Sequence, residues 1–113
     1  MTSSVRILLF CLFGLFSTFV AAQAGNDHGT AGDAWEKGLA DIGGTVAINP
    51  SGGLKAKGHP IGATGAGQVF EVVNQLRGEV EPGRQVPDAK IGMTDTLGGD
   101  GGTLVNMLFE KGW

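Results

Sequence analysis

The residues with the clearest chemical potential lie between positions 49 and 65, where His59 sits between Gly58 and Pro60 just ahead of a helix-like segment. Gly58 permits a tight backbone approach before the histidine, and Pro60 fixes the chain just after it. A histidine held in this way can serve as a general base. A nucleophilic thiol needs such a base within hydrogen-bond reach before its substrate arrives. The following helix would aim its first amides at the loop, and its dipole disfavours an imidazolium there, which favours a neutral base. The plain alternative is a loop histidine that only satisfies backbone carbonyls.

Other candidates are weaker. Cys11 is the one cysteine of the 113 residues, and it lies within an apolar run with Phe10 before it, unlike a lipid-attachment site. His28 falls in a polar, glycine-rich stretch and reads as a solvated residue rather than a metal ligand. No disulfide or metal cluster is expected from this inventory. Gly62-Ala63-Thr64-Gly65-Ala66-Gly67 lacks the Gly-Lys-Ser/Thr of a P-loop and the spacing of a dinucleotide fingerprint. The cluster Gly98 to Gly102 is similar to a calcium repeat, but it occurs once. With a net charge of −3 and no basic run, nothing points to nucleic acid.

The elements that must position His59 follow from pattern. Residues 1–24 carry Arg6, an apolar run over 7–16, and Ala22-Gln23-Ala24, which together read as a secretory signal peptide. The run is short for a bilayer span of about 20 apolar residues. A retained anchor touching a membrane through residues 7–22 is the alternative, and a fusion scar is a third. Secretion or membrane anchoring follows if the leader is genuine; otherwise the chain is intracellular. Residues 25–32 read as a flexible linker. A capping box at Asp33 and Glu36 predicts a short helix whose Trp35, Leu39 and Ile42 share a face. The run 45–48 predicts a strand. Residues 63–77 predict a helix with Val69, Val72, Val73 and Leu76 inward and Glu71, Asn74 and Gln75 elsewhere, capped by Gly78. A loop over 79–88 turns at Pro82-Gly83. Strands are expected over 90–94 and 103–109, separated by the glycine loop.

The last strand is apolar on both faces, with Val105, Met107 and Phe109 on one and Leu104 and Leu108 on the other. Such strands lie inside layered α/β structures. A unit of 33–113 is small, and a domain this size buries only about 60–65% of its unfolded surface. The pattern therefore implies an α/β domain belonging to something larger.

Asn49-Pro50-Ser51, Gly52-Gly53, Gly58-His59-Pro60 and Gly62-Ala63-Thr64-Gly65 together resemble the C-terminal signature of thiolases. The archaeal and sterol-carrier-type members are the most similar in flavour, and the resemblance runs over roughly 42–113. It implies a partial thiolase-like C-terminal domain of α/β class. It also implies that His59 activates a nucleophilic cysteine and lines an oxyanion site. Thr96-Leu97-Gly98-Gly99 stands where many thiolases have Cys-x-Gly-Gly, so the Gly98 amide would help hold an acyl oxyanion. Thr96 replaces the second cysteine, or the asparagine usual in the sterol-carrier branch, with a far weaker acid and base. The family's nucleophilic cysteine belongs to an N-terminal domain for which this sequence has no counterpart, and Cys11 has no matching motif around it. The resemblance thus implies acyl transfer between an enzyme cysteine and coenzyme A, as in acetyl-CoA acetyltransferases of lipid metabolism. The chain alone would be inactive. The substrate would be an acyl-CoA thioester, with no covalently bound cofactor, and the partner a thiolase N-terminal half or a second copy. The other readings are an exported, non-catalytic binding remnant and a truncated gene product.

Overall fold

The computed structural model describes residues 6–11 and 31–112. The rest of the leader, the linker over 25–30 with His28, and Trp113 lie outside the described residues. Seven elements follow in order: β1 (Arg6–Cys11), α1 (Ala31–Glu36), β2 (Val46–Ile48), α2 (Gly53–Lys57), α3 (Thr64–Arg77), β3 (Ala89–Gly98) and β4 (Thr103–Glu110). The strands form one sheet in the order β2-β1-β3-β4. β1 runs parallel to both neighbours, with Ile7 opposite Val46 and Ile91, and β3 pairs antiparallel with β4. A stretch read as leader thus occupies an inner position in the sheet.

Side chains alternate between the two faces of β2, as strand geometry requires. Val46 and Ile48 pack with Ala34 and Ala40 on one face. Ala47 packs with Val72, Leu76, Val86 and Ala89 on the other. The second face is covered by α3, which lies close over β3. A Cβ on Gly92 would come within 2.5 Å of Val72 Cγ1, so glycine there permits the contact.

Helix α3 begins at Thr64 and ends at Arg77, followed by Gly78, whose φ of 76° gives the left-handed cap expected of it. Its buried stripe differs from the apolar one. Thr64, Gln68, Val72, Gln75 and Leu76 are buried, whereas Val69 and Val73 are only half-buried. Gln75 faces inward because the 79–88 loop needs backbone partners. It donates to Arg84 O at 2.9 Å and accepts from Val86 N–H at 2.9 Å.

Three further expectations are corrected. The first helix spans 31–36 rather than starting at Asp33, and Gly38 breaks it with a φ of 68°. Trp35 is consequently exposed and shares no packed face with Leu39. The short helix α2 was not apparent from a segment so rich in glycine. Finally, β4 is not doubly buried. It is the sheet's edge, with Leu104, Val105, Met107 and Leu108 all exposed, and only Phe109 reaches the core beside α3.

Candidate functional site

The site forms where the loop between α2 and α3 meets the turn between β3 and β4. Gly58, with a φ of 78°, takes the chain out of α2 and presents His59 at the surface. Pro60 starts a tight turn in which its carbonyl accepts the N–H groups of Ala63 and Thr64 at 2.9 and 3.0 Å. That turn leads into α3 and brings Thr64 back under His59. His59 Nδ1 lies 2.8 Å from Thr64 Oγ1, and Thr64 Oγ1 lies 3.1 Å from Pro60 O.

The second wall is built from β3. Gln68, one turn beyond Thr64 on the buried stripe, donates through Nε2 to the Asp95 carbonyl at 2.9 Å. A carbonyl only accepts, so this contact fixes which end of the amide is nitrogen. The remaining amide oxygen then accepts the Thr96 hydroxyl in a short hydrogen bond. The Thr96 proton is therefore directed away from the cavity and toward α3. Gly98 ends β3 opposite Thr103, and its carbonyl accepts from Gly101 N–H at 2.7 Å, which closes the turn.

His59, Thr64, Thr96 and Gly98 line one cavity of about 240 Å³, with Ile61 and Leu97 as apolar walls. The structure thus brings together the three residues singled out from sequence, His59, Thr96 and Gly98, from segments almost 40 positions apart. It adds two that pattern reading missed, Thr64 and Gln68, which are 3% and 4% exposed. The signal was available in principle: 64, 68 and 72 keep helical spacing, and a polar residue on a buried stripe must have a partner. Gly65 in the first turn of α3 also borders the cavity, and a Cβ there would meet open space. Cys11 is the last residue of β1, and its backbone pairs with Asp95. Among the described residues no group of three His, Cys, Asp or Glu is placed to hold a metal ion. No described helix is long and apolar enough to cross a membrane.

The α/β layer thus presents a loop histidine and a glycine turn to one cavity. The profile of the family described as Thiolase C-terminal domain-like matches residues 18–111, and the chain belongs to that family. The match starts well before position 42, where the sequence resemblance was first apparent, and overlaps the segment read as leader. An acetyl-CoA acetyltransferase of Methanothermobacter thermautotrophicus is 53% identical over 85 residues, which are 75% of this chain and 22% of that protein. Sterol carrier protein 2 of Bos taurus is 46% identical over 86 residues, 76% of this chain and 16% of its own length. The non-specific lipid-transfer protein-like 2 of Caenorhabditis elegans is 52% identical over 65 residues, 58% of this chain and 16% of that protein. The chain thus spans about a fifth of the curated relatives it matches.

Proposed function

We propose that this chain carries the histidine half of a thiolase-type acyl-transfer site and works only with a polypeptide that supplies the nucleophilic cysteine. The observation that carries this reading is the shared cavity of His59, Thr96 and Gly98. In this role His59 takes the proton from the partner's thiol, and the thiolate then attacks the acyl carbonyl of a coenzyme A thioester. The Gly98 amide helps hold the oxyanion that forms. Thr96 is not the second acid, because its proton is engaged by Gln68. By itself the chain performs neither thiolysis nor condensation.

The supporting test mixes the purified chain with the part of the Methanothermobacter relative that lies outside the matched region and follows acetoacetyl-CoA cleavage. Activity is expected only in the mixture, and His59→Ala should lower it by about 10²–10⁴-fold, the usual contribution of a positioned base. Cleavage unaffected by that substitution, or none with any N-terminal half, rejects the proposal.

A second reading is an exported protein that binds a partner without catalysis. It is favoured by the basic start, apolar run and small-residue end of 1–24. An intracellular protein that retains Met1 would remove that support.

A further inference from the structure

We propose that Thr64 sets the tautomer of His59, placing the proton on Nδ1 and leaving Nε2 as the free base nitrogen. The use of that base rests on the acyl-transfer reading above; the proton position does not. A threonine hydroxyl has one proton to give and two lone pairs to accept with. Thr64 Oγ1 has two polar neighbours, His59 Nδ1 at 2.8 Å and the Pro60 carbonyl at 3.1 Å. The carbonyl can only accept. If the hydroxyl gave its proton to Nδ1, two oxygens would face each other at hydrogen-bond distance with no proton between them. If the proton goes to the carbonyl, Nδ1–H becomes the donor and both contacts are satisfied.

The surroundings hold this arrangement. The Pro60 carbonyl cannot turn aside, because it also receives the Ala63 and Thr64 amides. Thr64 is 3% exposed, so water has little access to replace either contact. His59 itself is exposed, and without this hydroxyl its ring would choose its tautomer from solvent. Thr64 is thus a positioning residue: it is buried in the cavity wall and acts through the histidine. The opposite tautomer would give a different site, with His59 donating to an oxyanion rather than accepting a thiol proton.

The tautomer is measurable in the full chain without substrate or partner. Protonated and unprotonated imidazole nitrogens resonate far apart, so long-range proton–nitrogen correlation of the ¹⁵N-labelled protein, with neutral imidazole, reports the proton's position. The chain has two histidines, and His28→Gln assigns the signals. The wild type and Thr64→Ser should both carry the proton on Nδ1. Thr64→Val, similar in volume but lacking the hydroxyl, should shift the tautomer ratio toward Nε2–H by about fivefold or more, the equivalent of one ordinary hydrogen bond. A wild-type protein with the proton on Nε2 overturns the proposal, as does a Thr64→Val protein with an unchanged ratio. Should Thr64→Val fail to fold, the wild-type and Thr64→Ser spectra decide the matter. Failure of the mixed-chain cleavage assay would reject the acyl-transfer reading and leave this result standing.

Discussion

Individual polar side chains inside this domain do work that apolar pattern cannot reveal. Gln75 is 1% exposed and joins α3 to the 79–88 loop through Arg84 O and Val86 N–H. Gln75→Leu keeps the packing volume but strands both groups, and an unsatisfied buried group costs about 1–3 kcal/mol. The expected outcome is a loss of that order in denaturant unfolding, with faster hydrogen exchange at the Val86 amide. Arg84 clasps the same loop from outside, 2.8 Å from Glu71 and 2.6 Å from Glu81. The Glu81 carboxyl is held below its ordinary value of 4.5, first by a backbone hydrogen bond, then by the hydrogen bond and charge of Arg84. A carboxyl lowered in the folded state stabilises above its ordinary value, and that contribution disappears as pH falls through the folded value. The advantage of the wild type over Glu81→Gln should therefore be present at about pH 7 and be lost as pH falls below 4.5 through the lowered folded value. Because Glu81 is fully exposed, that advantage is small.

At the scale of elements, regular periodicity and turn chemistry were legible, and pairing was not. The boundaries of α3 and its Gly78 cap agree with pattern to within a residue, because helical spacing and a left-handed glycine are both local signals. β3 extends to Gly98, well past Thr94, because its second half is held by β4 across the sheet, with Asp95 opposite Asn106 and Leu97 opposite Leu104. No local signal carries that information. The inward turn of Gln68 and Gln75 was hidden for a related reason: a buried amide is stable only where a distant backbone meets it. The loop histidine and the glycine turn were recognisable as motifs, yet their meeting in one cavity depends on α3 crossing β3. Gly92 makes that crossing close.

For the whole molecule, the exposed edge is the dominant feature. Among the described residues, no element lies beyond β4, and Leu104 and Leu108 on one face and Val105 and Met107 on the other are exposed. Long apolar edges invite pairing with other chains. Leu108, 71% exposed, is the point of entry for a test. Leu108→Lys should reduce self-association of the isolated chain in sedimentation velocity and leave its melting temperature nearly unchanged. The apolar character of both faces of β4 predicted burial on both sides, and the structure instead leaves both faces largely exposed.

The inner position of β1 has a consequence of timing. Residues 6–11 hydrogen-bond to β2 on one side and β3 on the other, and β3 lies some 80 positions downstream. The strand can be seated only after β3 has been synthesised. Until then the backbone groups on that side of β1 have no partner in the sheet, so the sheet closes last around the first made of its four strands.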